Sequence, residues 1–314
     1  MNPEPAAAVA RNAMATRFEI VLHGANPAAL RAAGEEALDE VERLEARLSL
    51  YRPSSEIARV NALAARQPVR VSPPVFELLQ RAAQLHRHSG GAFDITIAPL
   101  VRCWGFMGGA GQLPDPEQIA RARSRVGMHH VSLSPDDCSV RFDAEGVMLD
   151  LGAIGKGCAI DCAVRTLRES GVTSALIHGG TSTTYAIGHP PDAEAWKVAL
   201  ASHPDPNPNP IPSPALVPGQ PPQLPTLLLR DESLSVSAGW GKSFESGGRT
   251  YGHVLDPRTG EPVSETLLAA VALPSATESD ALSTALLVTG AAGARALAQW
   301  RPAIRTFLMS ARPA

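Results

Sequence analysis

Aromatic residues, excess positive charge and long apolar runs are all scarce in this sequence of 314 residues. Aromatic side chains make up 4% of it, and 28 Lys and Arg stand against 31 Asp and Glu, giving a formal net charge of −3. Because nucleic-acid-binding domains normally carry a basic excess, no nucleic-acid partner is expected. No apolar run approaches the length needed to cross a bilayer, so no transmembrane segment is expected either.

Residues 1–16 are rich in Ala and lack the two features that mark export, a basic segment followed by an apolar one and a lipid-acceptor Cys. A cytoplasmic location is therefore expected, with a periplasmic or membrane-anchored location as the alternative if an export signal has been removed. Four cysteines do not make a disulfide framework in a chain of this length. Cys158 and Cys162 have too few suitably spaced neighbours for zinc, and the cysteines are interpreted as small buried apolar residues.

Helical and alternating hydrophobic patterns follow one another along the chain, which indicates an α+β or α/β fold. The predicted helices are 27–50, 74–88, 156–170 and 280–300. The predicted strands are 17–22, 140–142, 147–151, 175–178, 227–229, 234–236 and 304–309. Prolines crowd residues 204–225, which we interpret as a long solvated loop inserted in one domain that covers 1–314.

A glycine-rich stretch, Leu149-Asp-Leu-Gly-Ala-Ile-Gly-Lys-Gly157, leads into the third predicted helix. Glycine lets a backbone approach a ligand closely, and the free N–H groups at a helix start attract phosphate. Lys156 adds a positive charge at the same place. The glycine spacing matches neither the dinucleotide-binding fingerprint nor the Walker A loop, so a tight strand-to-helix turn without a ligand is the alternative.

Three oxygen donors, Asp280, Ser283 and Thr284, share one face at the start of the last predicted helix. Such donors suit Mg²⁺ or Ca²⁺ better than Zn²⁺. The alternative is a capping cluster, with Asp280 near the helix start.

Two further stretches combine residue types that serve in catalysis or ligand binding. In His253-Val-Leu-Asp-Pro-Arg-Thr-Gly260, His253 could act as a general base or be structural, and Arg258 could hold the turn or a phosphate. In Gly90-Gly-Ala-Phe-Asp-Ile-Thr96, Phe93 could pack on a planar ring or in the core, and Asp94 could accept hydrogen bonds.

Taken in order, these stretches closely resemble the FAD:protein FMN transferase family, the ApbE-type flavin transferases. Further matching pieces are Met14-Ala-Thr, Leu48-Ser-Leu-Tyr-Arg, Ser54-Ser-Glu-Ile, Asn61, Trp104-Gly-Phe, His178-Gly-Gly, Ser235-Val-Ser-Ala-Gly and Ser279-Asp-Ala-Leu-Ser-Thr-Ala. The resemblance covers nearly the whole chain. It implies an α+β, two-lobed, T-fold-like architecture with FAD in the cleft between the lobes.

The resemblance also implies which residues contact the ligands. Flavin contacts carry over to Met14, Tyr51, Ala92, Phe93, Asp94, Asp150, Lys156 and Val254. Magnesium contacts carry over to the backbone carbonyl of Ala153 and to Asp280, Ser283 and Thr284. The glycine-rich loop and the helix start would then meet around a pyrophosphate and its metal. The sequence departs from many relatives at Thr181 and around Trp240, which affects the expected substrate contacts.

The implied activity is the Mg²⁺-dependent transfer of FMN from FAD to a Thr or Ser hydroxyl of an acceptor protein, with release of AMP. His253 is the predicted general base for that hydroxyl. One alternative is an FAD pyrophosphatase that uses water as the acceptor at the same site. The other is a non-catalytic FAD-binding protein.

Overall fold

The computed structural model describes residues 6–200, 225–239, 241–264 and 266–310, with the side chain of Ser310 excepted. The helices are α1 Pro27–Leu48, α2 Glu56–Leu63, α3 Pro73–His88, α4 Ala98–Cys103, α5 Pro116–Arg123, α6 Gly155–Glu169 and α7 Ala276–Trp300. The strands are β1 Ala6–Ala13, β2 Thr16–His23, β3 Val69–Arg70, β4 Val131–Ser134, β5 Ser139–Phe142, β6 Ala175–Gly179, β7 Thr183–Ile187, β8 Trp196–Ala199, β9 Thr226–Leu229, β10 Glu232–Ala238, β11 Ser243–Ser246, β12 Arg249–Gly252, β13 Thr266–Leu273 and β14 Arg305–Ser310. Residues 204–224 of the predicted Pro-rich loop, and Trp240, lie outside the described residues.

A seven-stranded sheet with the order β1-β2-β6-β7-β10-β13-β14 forms the centre of the fold. Every neighbouring pair in it is antiparallel. Ile20 and Ile177 belong to the main core, which also contains the buried faces of α1, α6 and α7. Val21 and Leu176, the adjacent residues, pack against the smaller cluster around Trp196 on the other face. This arrangement of helices and antiparallel sheets confirms the predicted α+β class.

The predicted strand at 147–151 is wrong, and the segment is irregular. Its backbone groups bond elsewhere: the Asn61 side chain accepts from the N–H of Leu149 at 2.7 Å and donates to its carbonyl at 3.0 Å. The N–H of Asp150 donates to the carbonyl of Ile95 at 2.7 Å. Strand β5 pairs with β3 and β4 instead.

Helix α7 begins at Ala276, four residues before the predicted start at position 280. Ser275 is the N-cap, and its hydroxyl accepts a hydrogen bond from the N–H of Glu278 at 3.3 Å. Asp280 therefore lies in the second turn, and its interpretation as a capping residue is wrong. At Gly290 the backbone leaves the helical region (φ 58°, ψ −144°), which divides α7 into two segments.

Within the described residues, α7 is the one helix that could cross a membrane by length and composition. Its contacts are those of a core helix, because it packs against β10, β13 and α6. Near its start, the buried carboxylate of Glu278 pairs with Arg81 and Arg301 at 2.7 and 2.6 Å. A buried, paired charge at this position indicates packing within the protein.

Candidate functional site

The glycine-rich loop and the first turns of α7 meet at Asp280. The N–H of Gly157 donates to Oδ2 of Asp280 at 3.0 Å. Nζ of Lys156 lies 3.7 Å from Oδ1 of Asp280 and donates to the carbonyl of Gly152 at 3.1 Å. A Cβ at position 157 would lie 2.1 Å from the carbonyl oxygen of Ala276, so glycine is required for this approach. The predicted meeting of the loop with the Asp280 region is therefore present.

Hydroxyl groups from the sheet contact all three predicted cation ligands of α7. Oγ of Ser237, on β10, lies 2.8 Å from Oγ of Ser283 and 3.1 Å from Oγ1 of Thr284. The hydroxyl of Ser283 also donates to the backbone carbonyl of Asp280 at 2.9 Å, and that of Thr183 donates to Oδ1 at 3.4 Å. Sequence reasoning missed Ser237 and Thr183 as neighbours of the site. Two signals pointed to Ser237: it lies in the family-matching stretch Ser235-Val-Ser-Ala-Gly, and the alternating serines of β10 share one face of the strand.

The predicted cation ligands fit Mg²⁺. They combine one carboxylate, that of Asp280, with the hydroxyls of Ser283 and Thr284 and the Ala153 carbonyl, and such all-oxygen sets suit a hard cation. Ser283 is fully buried and bonded to Asp280, which makes it the least accessible of the four. Among the residues described, no cluster of three or more His, Cys, Asp or Glu side chains could hold a metal. A cation here would therefore depend on neutral oxygens and on the phosphates of a bound ligand, as is common for Mg²⁺.

Asp150 begins the glycine-rich loop, where its carboxylate accepts a hydrogen bond from the N–H of Gly152 at 2.8 Å. Burial raises the pKa of Asp150, although that hydrogen bond and the charge of Lys156 lower it. Burial, and secondly the charge of Asp150, raise the pKa of Tyr51. The Tyr51 side chain is 67% exposed, so its ring is available to a planar ligand.

Met14 lies in the two-residue turn between β1 and β2. Met14 and Ala15 both have positive φ angles, 51° and 57°, in a turn type that normally takes Gly or Asn. Ala13, Ala15 and Arg52 are among the residues that line an open depression of about 440 Å³. The neighbours of Met14 and Tyr51 thus share one cavity, while the flavin contacts of both residues stay predictions.

The turn that follows α3 holds Ala92, Phe93 and Asp94. Ala92 and Phe93 are 1% and 2% exposed and belong to the main core, so the ring of Phe93 packs in the core. Asp94 accepts hydrogen bonds from the N–H and O–H of Thr96 at 2.7 and 2.6 Å, and its Oδ2 lies 3.2 Å from Nδ1 of His86. Burial opposes a charge on His86, but its hydrogen bond and ion pair with Asp94 outweigh burial and raise its pKa. Flavin contacts by these three residues stay predictions.

His253 directly follows β12, and its Nδ1 lies 3.2 Å from the carbonyl oxygen of Lys242. Because a carbonyl can only accept, Nδ1 carries the proton and Nε2 of the neutral ring is the acceptor. Burial lowers the pKa of His253, and the charges of Lys242 and Lys156 lower it further, against the effect of the Lys242 carbonyl. A general base requires this neutral form. Val254, the next residue, is half-buried against the main core.

The turn after His253 is closed by an ion pair between Arg258 and Asp256. The guanidinium of Arg258 donates through Nε and Nη2 to the two oxygens of Asp256 at 2.9 and 2.8 Å. Arg258 therefore holds the turn in this structure. A Cβ added at Gly91 would lie 3.8 Å from Cγ of Arg258, so this turn adjoins the one after α3.

The chain is similar in sequence and in fold to proteins of one family. The chain matches the model of the ApbE family over residues 14–308. It is 31% identical over 289 residues to a FAD:protein FMN transferase of Treponema pallidum (strain Nichols), covering 88% of this chain and 76% of the relative. It is 27% identical over 285 residues to a FAD:protein FMN transferase of Klebsiella pneumoniae (strain 342), covering 88% and 77%. The crystal structure of Pseudomonas stutzeri flavinyl transferase ApbE, apo form, superposes with a TM-score of 0.81 at 29% identity, covering 100% of this chain and 93% of the other.

Proposed function

Because this chain belongs to the ApbE family, we infer that it is an enzyme of the FAD:protein FMN transferase type. We further propose that it transfers FMN to a Thr or Ser hydroxyl of an acceptor protein, depends on Mg²⁺ and releases AMP. The main support for this proposal is the hydrogen bond between Gly157 and Asp280. It joins the glycine-rich loop, which suits phosphate, to the carboxylate of the predicted cation site.

The pyrophosphate of FAD is proposed to bind at the start of α6. Helix N-termini offer N–H groups and a partial positive charge to phosphate, and the N-cap residue Ile154 does not occupy these N–H groups, although that of Gly157 bonds Asp280. Lys156 adds a full positive charge beside it. The flavin is proposed to lie towards the exposed ring of Tyr51 and towards Met14, in the cleft that the family resemblance implies.

Asp280, Thr284 and the Ala153 carbonyl would hold Mg²⁺. Ser283 would hold Asp280 in place, because its hydroxyl donates to the backbone carbonyl of Asp280. When bound, the ion offsets the charge of the pyrophosphate and stabilises the charge that develops on the leaving AMP. The protein holds Asp280 for this purpose, since Gly157 bonds one carboxylate oxygen and Thr183 and Lys156 lie at the other.

His253 is proposed to act on the acceptor hydroxyl. Nε2 takes the hydroxyl proton while the oxygen attacks the FMN-side phosphorus. A new P–O bond forms to the acceptor, and the bond from that phosphorus to the bridging oxygen breaks, so AMP leaves with the bridging oxygen. The hydrogen bond from Nδ1 to the Lys242 carbonyl fixes the tautomer and supports the imidazolium that forms.

The test is to incubate the purified protein with FAD and Mg²⁺, with and without a flavin-acceptor domain that carries the target Thr, and to follow nucleotides and the intact acceptor mass. We expect AMP release together with an acceptor that gains the mass of FMN. Asp280→Asn should abolish Mg²⁺-dependent transfer, whereas Asp231→Asn, a carboxylate at the other end of α6 that accepts from Arg168, should retain it. Equal amounts of FMN and AMP without acceptor would favour the pyrophosphatase, and intact FAD in every tube would leave a binding protein.

A further inference from the structure

The carboxylate of Asp161, on α6, caps the first turn of a different helix, α7. Oδ1 accepts from the N–H of Ala276 at 2.8 Å. Oδ2 accepts from the N–H and the hydroxyl of Thr277 at 2.9 and 2.7 Å, and from the hydroxyl of Ser275 at 2.9 Å. Four hydrogen bonds to one carboxylate make this a stronger anchor than a neutral cap, and its negative charge suits a helix N-terminus.

Asp161 and Gly157 lie four residues apart on α6 and therefore on the same face. Gly157 bonds Asp280 in the second turn of α7, and Asp161 bonds the first turn. These two attachments, one helical turn apart, fix the rotation of α7 relative to α6. Glu278 and Ser283 hold the same part of α7 to other elements, but the hydrogen bonds from α6 to the first turn of α7 are those of Asp161. Their loss should therefore shift Asp280 relative to the glycine-rich loop on α6.

We propose that Asp161 is a positioning residue for the cation and pyrophosphate site. It touches neither ligand; it holds the start of α7 so that Asp280 and Thr284 face the loop that carries Ala153 and Lys156. The inference rests on the proposed function, because it concerns the same site. Hydrogen-bond partners that orient metal ligands commonly change metal affinity by about 10–100-fold.

The test measures binding, not turnover. Mn²⁺ serves as the probe cation, and saturating ADP supplies a pyrophosphate without a transferable flavin. Because ADP in solution also binds Mn²⁺, protein-bound Mn²⁺ is separated from the free Mn²⁺–ADP complex by equilibrium dialysis, and the thermal unfolding midpoint is measured for each variant. Asp161→Ala should weaken Mn²⁺ binding by about tenfold or more. The Mn²⁺ affinity of Asp161→Asn should lie between those of Asp161→Ala and wild type. Its amide oxygen still accepts from Ala276, but its NH₂ group cannot accept from Thr277.

The matched control is Asp231→Ala. Asp231 also joins α6 to its surroundings, accepting from Arg168 at 2.8 Å and from the N–H of Gly188 at 3.1 Å, but at the opposite end of the helix. This variant should lower the unfolding midpoint and keep Mn²⁺ affinity within twofold of wild type. If Asp161→Ala does not fold, Asp161→Asn and Thr277→Val decide the question by the same measurement.

Mn²⁺ affinity within twofold of wild type in the Asp161 variants, whatever their unfolding midpoint, would overturn the inference and leave only a stabilising cap. Absence of Mn²⁺ binding in the wild type would overturn both this inference and the metal assignment. Normal Mn²⁺ binding that depends on Asp161, in a wild type that transfers no flavin, would overturn the proposed function alone.

Discussion

The backbone N–H of Gly157 and a carboxylate oxygen of Asp280 are 3.0 Å apart, and this pair joins the two helices that build the site. Asp280 is only 4% exposed, and a buried carboxylate must be compensated by hydrogen bonds or opposite charge. Gly157, Lys156 and Thr183 provide that compensation. The site therefore depends on how closely α6 and α7 pack, and it should respond to small changes in that packing.

Gly157→Ala should disrupt the site, because the new Cβ would lie 2.1 Å from the carbonyl oxygen of Ala276 and 2.8 Å from Cβ of Asp280. The helices must then move apart, which should cost about 1–3 kcal/mol in the free energy of unfolding and most of the FAD affinity. Gly24→Ala, just before α1 and outside the site, is the matched control: the nearest atoms to its Cβ would be those of the Leu30 side chain, at 3.5 Å or more. The control should keep its FAD affinity and gain up to about 1 kcal/mol in the free energy of unfolding, since Ala has less conformational freedom than Gly in the unfolded chain. Urea denaturation and FAD titration of both variants provide the test, and equal behaviour would contradict the role of Gly157.

His253 should set the acid limb of the pH–rate profile. Its lowered pKa means that the ring stays neutral, and competent as a base, to a more acid pH than the ordinary value of about 6.5. His253→Ala should reduce kcat by about 10²–10⁴-fold with little change in FAD affinity. Lys242→Met should move the acid limb to higher pH, because the charge of Lys242 opposes protonation of the ring while its backbone carbonyl is unaffected. An acid limb that the Lys242 variant leaves in place would argue against His253 as the titrating base.

Asn61 should determine FAD affinity without touching FAD. Its amide bonds both backbone groups of Leu149, and the next residue, Asp150, is a predicted flavin contact. Asn61→Ala leaves these backbone groups without a partner, which should cost about 1–3 kcal/mol in the free energy of unfolding and weaken FAD binding. Asn26→Ala removes a different Asn that caps α1, accepting from Ala29 at 3.1 Å, and should cost stability alone. Fluorescence titration with FAD separates the two variants, and unchanged FAD affinity in Asn61→Ala would refute the prediction.

Local patterns were sufficient for the helices α1, α3 and α6, whose apolar stripes and Pro or Gly boundaries lie within the segments themselves. Local patterns wrongly predicted a strand at 147–151. The irregular backbone there depends on Asn61, which lies 88 residues away from Leu149 in the chain. They also failed at the start of α7, where Ser275 and Asp161, a residue on another helix, fix the cap. The family resemblance supplied the predicted site residues, but the supporting contacts of Thr183 and Asp161 are tertiary and leave no local pattern.

The ion pair between His86 and Asp94 should make stability fall as the pH rises. Asp94 raises the pKa of His86 despite burial and the opposing charge of Arg87, so the folded protein holds a proton that the unfolded chain releases. The stabilisation is therefore complete below the unfolded pKa of about 6.5 and is lost as the pH rises through the higher folded pKa. The pKa of His253 is lowered, so its effect on stability runs in the opposite direction. Its contribution to the free energy of unfolding is complete above a pH of about 6.5, the unfolded pKa, and is lost as the pH falls through its folded pKa. The test is urea denaturation of His86→Gln and wild type from acid to alkaline pH. The two free energies of unfolding should differ most below a pH of about 6.5 and least at alkaline pH. A difference independent of pH would show that His86 acts by packing and its hydrogen bonds alone.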